Sequence, residues 1–378
     1  MPVDYSKIPS PCYVLDEKRL RANLELINNV SEASGVEIIL AFKGFAMWSA
    51  FPIVREYLNG AAASSLNEAK LCVGEMKVKA HTYAPAYTDS EFDELMKLSS
   101  HITFNSIAQY EKFKPRLTGK SISCGLRVNP EYSDVGTDLY NPASPHSRLG
   151  LTAEHLEDGL PDGIDGLHFH VLCESSSHSL EKALEAFEQR FGQLLDKVNW
   201  VNMGGGHLMT RDDYDTDHLV RLLIEFREKH NVQIILEPGS AIAWETGNLV
   251  STILDIVENN GVKTAILDVS FTCHMPDCLE MPYRPKVTGA SSEPVLGKPT
   301  YRLGGLSCLA GDFMEEYSFD KDLKVGDRVI FEDMIHYTMV KTTTFNGVAH
   351  PSIGIWKEDG TFELIKKFGY TEYKGRLS

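Results

Sequence analysis

Short apolar runs of strand length recur along the first two thirds of the chain, and amphipathic stretches separate most of them. The runs are "EIILAFKG" (37–44), "NGAAASSL" (59–66), "VKAHTYAP" (78–85), "HITFNS" (101–106), "ISCGLRVNP" (122–130), "GLHFHVL" (166–172), "WVNMGGG" (200–206) and "QIILEPGS" (233–240). Between them, "SAFPIVREYL", "LNEAKLCVGEM", "DSEFDELMKLS", "SLEKALEAFEQRFGQLLDKV" and "DDYDTDHLVRLLIEFREKH" return their apolar residues at three- and four-residue steps. That is the period of a helix with one buried face. Eight βα units within about 200 residues predict a (β/α)8 barrel, with an open doubly wound sheet as the alternative.

From about residue 245 the texture changes. "NLVSTILDIVEN", "KTAILDVSF", "KPTYRLGG", "DRVIFED" and "YTMVKTTTF" predict strands joined by turns. The opening "PCYVLDEKRLRANL" predicts one strand and then a helix. The expected organisation is an α/β barrel over residues 19–243 and a β-rich domain over residues 244–378, joined by the N-terminal strand within residues 1–18.

The 378 residues are 43% hydrophobic, enough for a core of that size. The net charge of −16 argues against a nucleic-acid partner and suits a cationic small molecule. The seven cysteines are scattered and form no CxxC pair, so neither a disulfide framework nor a metal site is expected. No segment has the length of a membrane span, and "MPVDYSKIPS" lacks the apolar core of a signal peptide. A cytoplasmic protein without a membrane partner is expected.

A barrel of this kind presents its chemistry at the C-terminal ends of its strands. Those ends carry Lys43, His170, Gly204-Gly205-Gly206 and Glu237. Each has a plain structural reading: a rim lysine, a packed core histidine, a tight turn, a rim carboxylate. Each also has a chemical one. A desolvated lysine keeps a free amine that condenses with an aldehyde. Bare glycine N–H groups approach a phosphate closely. A carboxylate pairs with a protonated ring nitrogen, and a histidine stacks on a flat ring. Together they describe a site for pyridoxal 5'-phosphate.

With these residues in place, the chain resembles the fold-III decarboxylases that use pyridoxal phosphate, the group of ornithine, arginine and diaminopimelate decarboxylases. "AFKG" resembles the family's lysine motif, "FHV" at 169–171 its stacking histidine, "MGGG" its phosphate loop and "EPG" at 237–239 its ring-nitrogen carboxylate with Gly239. "SCLAGD" at 307–312 resembles the catalytic-cysteine motif and "EDMIHYT" at 332–338 the motif whose tyrosine reaches the phosphate. The resemblance implies that Tyr337 binds phosphate. It also implies that Cys308 donates a proton to the product carbon from the partner subunit of a head-to-tail homodimer. By composition alone, Cys308 reads equally as a small core residue.

The sequence departs from the family at several places. Leu309 stands where many relatives carry an acid, Ser240 where many carry an arginine, "FHVLCES" where many read "FHVGS", and Ala62 where an acid is common. These departures resemble one branch, the carboxynorspermidine (carboxyspermidine) decarboxylases. That branch implies removal of CO2 from a long polycationic amino acid, giving norspermidine or spermidine. Asp277, Asp312, Asp268, His274 and Glu245 are the expected substrate-binding residues, although each acid also reads as ordinary surface charge. Diaminopimelate or another basic amino acid decarboxylase is the nearest alternative. Racemase-like chemistry and a non-catalytic binding protein are more distant ones.

Overall fold

The first barrel strand is interrupted at Ile39, and the interruption is where the barrel closes. In the computed structural model, which describes residues 2–136, 141–144, 146–281 and 283–378, Glu37–Ile38 pairs with Gln233–Leu236 while Leu40–Ala41 pairs with Ala61–Ala63. Ile39 N–H donates to Leu236 O (2.9 Å) and Ala41 N–H to Pro238 O (3.1 Å), whereas Leu40 N–H turns the other way to Gly60 O (3.1 Å). The remaining strands run in order, Ala80–Tyr83, Ser99–Phe104, Ser123–Arg127, Gly166–His168 and Trp200–Asn202, each parallel to its neighbours. All eight apolar runs of the sequence are strands, and the sheet closes on itself, which rules out the open doubly wound alternative.

Strands covered on both faces read as continuous apolar runs, and Ala61–Ala63 and Trp200–Asn202 are buried throughout. Trp200 fills the barrel interior with Ile39, Ala62 and Ile235. Room for it comes from two glycines, since a Cβ on Gly125 or Gly166 would fall 2.3 Å or 2.0 Å from the indole. Its Nε1–H donates to Ser123 Oγ at 2.8 Å, so the buried indole leaves no unmet donor.

The helices Asp89–Leu98, Ser177–Phe191 and Thr216–His230 lie where the periodicity placed them. One further helix, Ile107–Leu117, was hidden because Ser106 reads as the end of a strand. Ser106 is instead its N-cap, with Oγ accepting Gln109 N–H at 3.2 Å. Ile107 opens it, and Tyr110, Phe113 and Leu117 form its buried face.

Residues 23–242 form one compact unit, and residues 1–22 with 243–378 form a second. In the second, Cys12–Asp16 lies between Gly247–Asn259 (antiparallel) and Ser352–Trp356 (parallel). Ile8, Cys12, Val14, Val250, Ile330 and Trp356 form a core on this sheet. Gly247–Asn259 also pairs with Arg328–Phe331 and Val262–Leu267, and the sheet continues through Thr300–Gly304 and Phe313–Phe319.

"YTMVKTTTF" is not a strand. Its β-branched residues suit one, but its amides are used in turns and loops: Val340 N–H donates to Tyr337 O, Lys341 N–H to Thr338 O and Thr343 N–H to Cys273 O. Among the described residues no helix is long and apolar enough to cross a membrane.

Trp200→Ala should leave a large interior void and remove the indole donor from Ser123 Oγ, whose hydroxyl still donates to Asp165 Oδ2 at 3.0 Å. The expected loss is about 3–5 kcal/mol of stability in a urea titration, the usual cost of emptying an aromatic core position.

Candidate active site

Lys43 follows the strand Leu40–Ala41 at the barrel mouth. Gly44 beside it has no freedom to be anything else, because a Cβ there would meet Gly239 Cα at 2.5 Å. The lysine motif and the "EPG" motif thus touch backbone to backbone. Lys43 Nζ lies 3.0 Å from His170 Nε2. Both side chains open onto a cavity of about 290 Å³, bordered also by Ala62, Tyr83, Arg127 and Glu237. Lys43 is solvent-accessible through that cavity, although protein packs densely around it. Desolvation, with the Arg127 guanidinium adding to it, brings Lys43 down to about 8, against the opposing pull of Glu237, Cys173 and Glu68.

The three glycines pack against neighbouring loops. Gly204 (φ 68°) and Gly206 (φ 91°) adopt left-handed conformations. A Cβ on Gly204 would meet His170 Nδ1 at 2.6 Å, on Gly205 the Glu237 carbonyl at 2.3 Å, and on Gly206 the Leu172 backbone at 2.3 Å. Two of their amides are committed within the protein. Gly204 N–H donates to Asn202 Oδ1 and Gly205 N–H to His170 Nδ1, both at 2.8 Å.

Glu237 follows the last strand. Burial raises its carboxyl, and the Asn202 amide, Lys43 and Arg127 counter that. Asn202 Nδ2 donates to Glu237 Oε1 at 2.7 Å while Asn202 Oδ1 holds the glycine loop, so one side chain ties the two motifs together. Arg127 ends the strand Ser123–Arg127, is 4% exposed, donates to His170 O (3.2 Å) and covers the Tyr83 ring at 4.6 Å. Sequence reasoning singled out neither Asn202 nor Arg127. The signal was there, since both sit at the C-terminal end of a predicted strand, as Lys43 does.

The family's arginine position holds Ser240, whose Oγ donates to Glu174 Oε1 at 3.0 Å. Glu68, from the helix Leu66–Leu71, accepts Ser64 N–H at 2.6 Å near Ala62.

The other expected site residues belong to the β-rich unit. Cys308 is exposed, and its N–H donates to Asn346 Oδ1 at 2.8 Å. Asp312 is 4% exposed. Its oxygens accept Thr272 N–H and Ser307 N–H, each at 3.0 Å, while Gly305 N–H donates to its carbonyl at 2.7 Å. This carboxylate anchors the cysteine loop. Asp268 accepts Thr252 N–H (2.8 Å) and the Ser10 hydroxyl (2.7 Å), an arrangement that clips strand to strand. His274 is fully buried. Its Nδ1 accepts Ser270 N–H (3.1 Å), and its carbonyl accepts the Tyr13 hydroxyl.

Glu245 (φ 53°) is held by its backbone, its N–H donating to Asp333 Oδ1 (2.7 Å) and its carbonyl accepting from Arg19 (2.9 Å). Asp277 differs from these. Its Oδ2 accepts the hydroxyls of Tyr283 (2.6 Å) and Thr338 (2.7 Å), but Oδ1 is buried with no hydrogen-bond partner among the described residues. Thr338 directly follows Tyr337, which sits at φ 44°.

The barrel's donor set suits pyridoxal phosphate: an amine of lowered basicity, a half-buried carboxylate, an aromatic imidazole and a cavity near the lower end of small-ligand size. His168, on the cavity border, has both ring nitrogens buried and without a partner among the described residues, as expected where a polar ligand completes the site.

The family model for the pyridoxal-dependent decarboxylase, C-terminal sheet domain, matches residues 12–335. The chain is 52% identical over 373 residues to the carboxyaminopropylagmatine decarboxylase of Synechocystis sp., covering 98% of this chain and 96% of that one. It is 44% identical over 382 residues to the carboxynorspermidine/carboxyspermidine decarboxylase of Campylobacter jejuni, covering 98% and 99%. The crystal structure of carboxynorspermidine decarboxylase from Campylobacter jejuni complexed with norspermidine superposes with a TM-score of 0.91, at 43% identity over 98% of this chain and 100% of that one. Its match, together with the motif-bearing strand ends, shows that this chain belongs to the pyridoxal-dependent decarboxylases and uses pyridoxal 5'-phosphate as its cofactor.

Proposed function

We propose that this carboxy-lyase removes the α-carboxylate of a carboxylated linear polyamine, with carboxynorspermidine and carboxyspermidine as substrates and norspermidine and spermidine as products. The observation that carries it is the near full-length identity to relatives named for those substrates. A second reading, carboxyaminopropylagmatine, is supported by the 52% identity to the Synechocystis enzyme. The two differ at the distal end, an ammonium in one and a planar guanidinium in the other.

Diaminopimelate is the weaker alternative. The diaminopimelate decarboxylases match at 22–24% identity, and Leu309 is exposed and apolar where a reader of a second amino acid end would be polar.

When bound, the cofactor supplies an electron sink for the pair left behind by CO2. The chain's own groups do the rest. Lys43 would hold the cofactor through its amine. Glu237, steadied by Asn202, would keep a proton on the ring nitrogen. His170 would cover the ring, Arg127 would balance the negative charge, and Gly204–Gly206 and Gly239, with Tyr337 as the family motif implies, would hold the phosphate. Cys308, supplied by a second copy of the chain in a head-to-tail homodimer, gives a proton to the α-carbon as a general acid. Asp277 Oδ1, the free buried acceptor, pairs with an ammonium of the substrate. We place the enzyme in the cytoplasm, where free thiols such as Cys308 persist.

Lys43→Ala should abolish the absorbance of the lysine-bound cofactor and nearly all CO2 release; normal turnover by that variant would sink the scheme. CO2 release should be measured in parallel from carboxynorspermidine, carboxyspermidine, carboxyaminopropylagmatine, diaminopimelate, ornithine and arginine. The first two should give the highest kcat/KM. Best turnover of carboxyaminopropylagmatine would establish the second reading, and best turnover of diaminopimelate or ornithine would overturn both.

A further inference from the structure

His170 touches two groups through its two ring nitrogens, and the two contacts constrain each other. Nδ1 receives the N–H of Gly205 at 2.8 Å, so it presents a lone pair and no proton. A neutral imidazole has one proton, which then sits on Nε2. Nε2 is the atom that faces Lys43 Nζ at 3.0 Å. An ammonium has three donors and no acceptor, so a charged Lys43 would set donor against donor. A free amine accepts the Nε2 proton through its lone pair.

Charging Lys43 means moving the imidazole proton to Nδ1, where it would confront Gly205 N–H instead. Gly205 has no room to withdraw, being in contact with the Glu237 carbonyl. The surroundings favour the same state. Burial above all, with the Arg127 guanidinium adding to it, opposes charge on His170, so the ring stays neutral. Around Lys43, burial and Arg127 oppose charge more strongly than Glu237, Cys173 and Glu68 support it.

We propose that Gly205, by donating its N–H to Nδ1 of His170, fixes the imidazole tautomer that keeps Lys43 a free amine. This rests on Lys43 being the cofactor-bearing lysine, since only an unprotonated amine bonds to an aldehyde carbon. His170 then has a positioning and charge-setting task in addition to covering a ring. Gly205 has a task other than phosphate contact, and the amide relay links the glycine motif to the lysine motif.

Two measurements on the full-length, cofactor-stripped chain test it. Nitrogen NMR of histidine-labelled protein, with His170 assigned by its loss in His170→Phe, should show Nε2 protonated and Nδ1 bare across neutral pH. Trace acetylation with acetic anhydride, read on the Lys43 peptide by mass spectrometry, gives the midpoint of Lys43 titration. In His170→Phe, which keeps a flat ring but no donor, that midpoint should rise by about one pH unit, leaving roughly tenfold less free amine at neutral pH. His170→Gln, which keeps an N–H donor, should stay near the wild-type midpoint.

A proton on Nδ1 in the wild type, or an unchanged midpoint in His170→Phe, overturns the proposal. Where His170→Phe does not fold, the loss of the signal in His170→Gln supplies the assignment, and the wild-type tautomer alone then decides. A correct tautomer in a chain that fails to bind pyridoxal phosphate would indict the cofactor role of Lys43 and not the relay.

Discussion

The site depends on backbone meeting backbone without an intervening Cβ. Loops after the sixth, seventh, eighth and first barrel strands converge at the mouth, through Gly204 on Phe169 and His170, Gly205 on Glu237, Gly206 on Leu172, and Gly44 on Gly239. Each contact is closer than any side chain allows. The glycines are therefore structural before they are chemical. They bring a lysine, an imidazole and a carboxylate from three separate strands within reach of one small ligand, and their cost in chain entropy is offset by the packing they permit.

Placing charge in such a dry space has its own cost, and the structure meets it by mutual accommodation. Lys43 and Arg127 are both pushed toward their neutral forms by burial, and Glu237 is pushed toward its acid form. Each carries part of the compensation for the others. Asn202 adds the hydrogen bond that keeps Glu237 aimed, and the Tyr83 ring shields one face of Arg127. Substituting any one of these groups alters the protonation of the rest, so their effects will not add independently.

Much of this was legible in the sequence. Strand period and length identified eight strands, and the residue types at their ends marked Lys43, His170, the glycines and Glu237. Arg127 and Asn202 stood at equivalent positions but have common alternative readings, as a rim charge and a turn former. Their roles come from partners 43 and 35 residues away. Asp312 shows the limit more clearly. An aspartate four residues after Cys308 suits a cation reader in the sequence, while in the fold its oxygens receive the amides of Thr272 and Ser307. Only the fold shows which backbone amides such an acid receives. The threonine-rich segment before Asn346 misled for a related reason, because intrinsic strand preference is easily overridden by local turn hydrogen bonds.

Trp200 was described as a core residue, but it also determines traffic. With its indole packed against Gly125 and Gly166 and tied to Ser123, the barrel is a vessel sealed at its base. The way in to Lys43 is therefore from the strand-end side, where the cavity lies, and the floor beneath it is fixed by packing and not by the ligand.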